Sequence, residues 1–215
     1  MSDQEGPSWT ASESEIEHGL SACAEEAFAE RKYRSCEHLL RQIMAIRRRL
    51  LLSAAEDGRD VGPGVEVGIA PIRYRVASCI VQDGDLSRFP EAADELESAL
   101  GTLMSHYGPD SKEEGRCMHL RWRILVLLLD VLDKLNTGKL EAWAPLAFLS
   151  ERASSLAVLL HGARSLEATG CEVRRAALYS QQGRLAEAEE VLQKAYTLRK
   201  VRKDWHGLHA SCAYG

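Results

Sequence analysis

Much of what would identify this chain by its chemistry is missing. Six cysteines stand at 23, 36, 79, 117, 171 and 212, and no two are spaced as a CxxC pair, so neither a zinc ribbon nor a redox motif is spelled out. Scattered cysteines of this kind act as small buried apolar residues in a reducing compartment, which places the chain in the cytoplasm or nucleus. The longest uninterrupted apolar run, Ile124 to Leu129, is far short of the roughly 20 residues that span a bilayer, and no membrane partner is expected. No Lys or Arg precedes Arg31, the reverse of a secretory or transit peptide, so no export is expected. Only one asparagine is present, Asn136. Aromatic residues make up 6% of the chain and the net charge is −5, where a nucleic-acid-binding domain would be basic with interleaved aromatics; a nucleic-acid partner is therefore not the first expectation.

What remains is ordinary globular material: 215 residues, 45% hydrophobic and 27% charged, enough to bury a core without disulfide or metal. Every convincing segment has helical period, and no alternating run bounded by turns suggests a strand. The expected class is all-α. Breaker-rich stretches at 57–68, 107–115 and 161–170 divide the chain into four helical hairpins, at about 12–56, 66–107, 112–164 and 169–203, and another at 136–139 separates the two helices of the third. A terminal helix is expected over 205–215, and an acidic disordered tail over 1–11. Residues 12–215 are expected to form one domain.

Three hairpins share a register. Tyr33, Cys36, Leu40 and Ile43 repeat as Phe89, Ala92, Leu96 and Ala99, and again as Leu185, Ala188, Leu192 and Ala195. The 3-4-3 spacing keeps each set on one helical stripe. The short second member matters most, because helix axes come within about 8 Å only where a side chain is small.

In the last hairpin, Ala176 and Tyr179 precede a turn at Gly183, and Leu185, Ala188, Leu192 and Ala195 follow it. This pattern resembles a tetratricopeptide repeat of about 34 residues, with Lys200 where the closing proline commonly stands. The 22–49 hairpin resembles it loosely, the 70–105 hairpin with a small insertion in its turn, and the 116–163 hairpin departs from it, with Pro145 near the start of its second helix. The resemblance implies an α-solenoid of about four antiparallel hairpins wound as a right-handed superhelix, with a concave groove lined by the first helix of each repeat. On that register the groove includes Ser21, Glu25 and Phe28 in the first hairpin and Val173, Ala177, Ser180 and Gln181 in the last. Tetratricopeptide domains that bind chaperone C-termini resemble one another in a clamp containing two asparagines. With Asn136 alone, and in a turn, such a clamp is not expected here.

Candidate chemistry is thin. GPGVEVG at 62–68 has neither the GxGxxG spacing of a dinucleotide loop nor the GK[ST] of a phosphate loop, and is expected to be a linker. Cys36 with His38, Cys117 with His119, and His206, His209 and Cys212 are each poorly spaced for convergent ligation, so neither metal nor cofactor is expected. No nucleophile elbow occurs and no enzyme activity is expected. Charge is polarised: residues 1–30 hold eight acids and no Lys or Arg, while 31–59 hold eight bases against three acids. Arg47, Arg48 and Arg49 form one basic cluster and Arg199, Lys200, Arg202 and Lys203, with Lys194, another. These are expected to be solvated faces paired within the chain, with an acidic partner or nucleic-acid backbone as the lesser reading.

The expected function is that of a non-catalytic protein-interaction scaffold or adaptor, a subunit of a larger complex that takes a partner peptide or helix in its groove. The last residues, with Trp205, Leu208 and Tyr214 and no polar cap, suggest a homo-oligomer or complex formed through the C-terminal edge, or a longer array. Two alternatives are a chromatin or nucleic-acid-associated adaptor, since residues 73–100 resemble the cohesin-loader adaptor family in rhythm, and a ligand-sensing regulatory domain.

Overall fold

The structure, a computed structural model, describes residues 11–57, 64–107, 115–135 and 143–212, with the backbone alone for 11–12, 64–66, 115–116, 143–144 and 201–212. Eight α-helices occur among the described residues, and no strand: α1 Ala11–Ala29, α2 Tyr33–Glu56, α3 Gly64–Asp83, α4 Phe89–Tyr107, α5 Gly115–Leu135, α6 Trp143–His161, α7 Leu166–Gln181 and α8 Leu185–Cys212. Within α1–α4 and within α5–α8 each helix packs chiefly on the next, in the solenoid-like manner of successive hairpins. The chain divides into two compact units, Met1–Ser111 and Lys112–Gly215, each holding four helices, where one continuous domain was expected. The boundary falls in the Gly- and Pro-containing 107–115 stretch.

Within the first unit, the turn from α1 to α2 is closed by Arg31 N–H donating to Phe28 O (3.0 Å) and Lys32 N–H to Ala27 O (2.8 Å). The turn from α7 to α8 in the second unit repeats this: Gly183 N–H donates to Ser180 O (3.0 Å) and Arg184 N–H to Tyr179 O (2.9 Å). Both turns place one residue in the left-handed region, Gly183 at φ 74° and Arg31 at φ 60°. Glycine takes that conformation without cost, whereas Arg31 crowds its own Cβ. The α3–α4 connection also uses a left-handed glycine, Gly84, then adds a short 3-10 turn at Leu86–Arg88, started by Asp85 accepting from Ser87 N–H (3.1 Å).

The short residues of the repeated register are where the helices meet. Cys36 and Ala92 are fully buried and Ala188 is nearly so. Leu40, Phe89, Leu96 and Ala195 are buried too, and Tyr33 is half-buried, its ring edge-on to Phe28 at 5.6 Å. Leu185 and Leu192 depart from their counterparts: they are 65% and 46% exposed, and Val191 takes the inward position beside Ala188 and Ala195. Tyr179 of α7 packs on the cluster of Ala176, Ala188 and Val191.

Three boundaries differ from expectation. GPGVEVG is not a linker beyond residue 63, because α3 begins at Gly64 and carries Gly68 and Pro71 inside it. Gly68 leaves room for a neighbour: Arg47 Nη1 donates to Gly68 O at 2.5 Å, and a Cβ at Gly68 would lie 2.7 Å from that nitrogen, the movable end of a flexible side chain. Helix α7 begins at Leu166, within the stretch expected to be loop, because the Ser165 hydroxyl caps it by accepting from Ala168 N–H (3.0 Å). There is no separate terminal helix from Trp205; α8 runs unbroken to Cys212, no Gly or Pro intervening between Gly183 and Gly207. The expected tail at 1–10, the turn at 136–139 and residues 213–215 lie outside the described residues; Ala11 already belongs to α1.

Polar groups also tie the first unit together. Glu37 on α2 is buried and accepts from Arg41 Nε (2.9 Å) and from Arg88 Nη1 and Nη2 (2.8 and 2.6 Å). Arg88 reaches Glu91 Oε2 (2.8 Å) and Arg73 of α3 reaches Glu95 of α4 (2.8 Å), so the network joins α2, α3 and α4. Burial works to raise the Glu37 carboxyl, but the hydrogen bonds from Arg88 and Arg41 outweigh it and hold it below its usual 4.5. Nearby, Cys79 of α3 lies against Cys36; burial foremost, then the hydrogen bond to Cys36, pushes its thiol pKa up, which makes it an inert packing residue.

Candidate groove on the first helices

In the second unit α7 lies against α5 as well as α6 and α8. Arg174 of α7 donates through Nη1 to Val126 O (3.3 Å) and through Nη2 to Asp130 Oδ2 (3.1 Å), pinning the two first helices of the unit's hairpins together. A cavity of about 70 Å³ opens between them. Its floor is apolar, with buried Leu129 and Leu178, and Ala177 beside them. Asp130, Asp133, Arg174 and Gln181 stand at the mouth. Small-molecule sites are commonly about 300–1,000 Å³, so this space suits a single side chain better than a cofactor. Two carboxylates against one guanidinium leave the mouth with an excess negative charge, on an apolar base, which matches a side chain with an aliphatic stem and a cationic head.

Of the expected groove residues, Ala177 and Gln181 line this cavity, and Ser180 and Val173 are exposed on the same helix. In the first unit, Glu25 of α1 pairs with Arg75 of α3 (2.5 Å), again first helix to first helix. Ser21 is half-buried and Phe28 exposed on α1. The α5 contribution was missed. MHLRWRILVLLLDVLDKL reads as apolar all round, yet its two acids near the C-terminal end of the helix, Asp130 and Asp133, stand three residues apart and so share a face, which is the signal that could have found them.

The basic clusters are dispersed by the structure. Arg47 faces inward as a three-helix clamp, donating to Glu17 of α1 (3.0 Å) as well as to Gly68 O of α3, and is not an open patch. Arg48 and Arg49 are exposed. Arg199 is exposed and donates to Thr169 Oγ1 of α7 (3.2 Å); Lys194 and Lys200 are exposed, and the side chains of Arg202 and Lys203 lie outside the described residues. No group of three His, Cys, Asp or Glu residues among the described ones could hold a metal ion. His119 instead stacks edge-on with His161 (5.2 Å), which also meets Trp122 (4.9 Å). No described helix is long and apolar enough to cross a membrane.

No family model and no curated protein matches the chain. Among solved structures, the crystal structure of BtubC (BKLC) from P. vanneervenii is similar at 15% identity over 90% of each chain, with a TM-score of 0.30. Similarity at that level leaves function to be argued from the residues themselves.

Proposed function

We propose that this chain is a non-catalytic interaction scaffold of the tetratricopeptide-like kind, a subunit of a larger complex in the cytosol or nucleus, that receives a partner's peptide or helix along its first helices. The observation that carries the reading is the cavity between α5 and α7, sized for one side chain, apolar at its base and acidic at its mouth. A Lys or Arg of the partner would lay its methylenes on Leu129, Ala177 and Leu178 and direct its charge at Asp133, the carboxylate at the mouth not engaged by Arg174. The surrounding exposed positions, Val173 and Ser180, would supply apolar and hydrogen-bonding contact to the partner's flanking residues.

The test is affinity purification from the native source with the wild-type chain, with Asp133→Lys and with Ala177→Trp, followed by mass spectrometry. A set of proteins retained by the wild type should be lost from both variants, which alter exposed positions and should keep the wild-type circular dichroism and melting temperature. Equal recovery of the same proteins by all three chains would overturn the reading.

A further inference from the structure

Helix α8 carries a second surface, remote in character from the groove. Leu185, Leu192 and Tyr196 are 65%, 46% and 63% exposed and recur at i, i+7 and i+11, so they fall within about 40° of arc along one line of the helix. The adjoining flank, Ala188, Val191 and Ala195, centred about 90° around the helix from this line, is the one that packs toward α7. In α2, the register counterparts of Leu185 and Leu192 are Tyr33 and Leu40, which are half-buried and buried. Helix α2 has α1 on one side and α3 on the other, whereas among the described residues only α7 packs extensively on α8. The bare stripe is therefore the place where a further helix belongs.

Charge says which helix. Along α8 the exposed acids come first, Glu187, Glu189 and Glu190, and the exposed bases follow, Lys194, Arg199 and Lys200. A helix acidic in its first half and basic in its second is complementary to itself when turned end for end. The register is fixed by the apolar pair: setting Leu192 of one copy against Tyr196 of the other, and the reverse, brings Glu189 beside Lys200 of its mate on both sides of the two-fold. Glu189 and Lys200 lie about 20° apart around the helix and on the same flank of the stripe, so both pairs form together. Lys194 points to the far side, away from its symmetry mate. We infer that α8 is a self-association surface, joining two copies of this chain as an antiparallel helix pair with Leu192 and Tyr196 at its centre. The inference does not depend on the groove and would stand if the groove bound nothing.

Sedimentation equilibrium of the full chain, at concentrations up to about 100 μM to capture a micromolar association, provides the test. The wild type should reach twice the chain mass, and Leu192→Asp should be monomeric throughout with unchanged circular dichroism, the site being exposed. Glu189→Lys and Lys200→Glu should each weaken association about tenfold, the effect of two symmetric exposed pairs made repulsive. The double variant Glu189→Lys/Lys200→Glu should regain wild-type association, because swapping both signs restores both pairs. A wild-type chain monomeric over the whole range, a dimer indifferent to Leu192→Asp, or a double variant no better than the singles would each overturn the proposal, the last by ruling out the antiparallel register.

Discussion

Helices α2 and α8 are written in the same register and meet different fates. Tyr33, Cys36 and Leu40 turn their stripe into the first unit, between α1 and α3; Leu185, Ala188 and Leu192 bury only the middle residue. The short residue is buried in both because it governs the approach of the preceding helix, which both helices have. Tyr33 also meets Phe28 of the preceding helix, but α2 has α3 packed on it as well, whereas among the described residues α8 has no following helix, and there the two part. A repeat's pattern thus specifies a potential for packing, and neighbours decide how much of it is used.

The sharpest way to break the comparison is to truncate the matched leucines. Leu40→Ala should destabilise by about 2–5 kcal/mol through lost burial and a residual cavity. Leu192→Ala, measured at dilution, should stay within about 0.5 kcal/mol. Chemical denaturation of both variants reads the difference directly; comparable losses would mean that α8 is covered in solution even in the monomer.

A second distinction lies in how the units are tied. The first has Glu37 buried beneath Arg41 and Arg88, and Glu37→Gln should cost about 2 kcal/mol, leaving both guanidiniums short of a charged acceptor. Because the folded carboxyl is held below its ordinary 4.5, its contribution is complete above pH 4.5 and fades as the pH falls through the lower folded value. The wild type should therefore lose more stability on acidification than Glu37→Gln does, and parallel pH profiles would show that the network contributes nothing. The smallest expected effect concerns the two matched turns: Arg31→Gly should stabilise, and Gly183→Ala destabilise, each by about 1 kcal/mol, since both positions are left-handed and only one already has glycine. Equal and opposite shifts in melting temperature would confirm that the turns are structural equivalents.

The helical class and three of the inter-helix turns were legible from residues alone, since Gly84 and Gly183 and the polar residues around Arg31 punctuate clean 3.6-residue periodicity. What was not legible depended on contacts distant in sequence. GPGVEVG has the composition of a loop, yet Gly68 is helical and accepts from Arg47, 21 residues earlier, a contact no local pattern announces. The cap on α7 is one serine, Ser165, in a stretch rich in loop-like residues. Arg47 looks like surface charge beside Arg48 and Arg49 until Glu17, 30 residues earlier, is brought against it. The cavity needed α5 and α7 side by side, so Ala177 and Gln181 could be named from repeat register, Asp130 and Asp133 were signalled only by their shared face on α5, and Leu129 by nothing local.

The central claim is that a partner chain lies on the first helices, and the most direct measurement is site-specific photo-crosslinking in the native source. A benzophenone amino acid at Ala177, beside the cavity, should give a discrete crosslinked partner that disappears with Asp133→Lys, while the same probe at Ser155, exposed on α6, should not. A crosslink of equal yield from Ser155, or none from Ala177, would contradict the account.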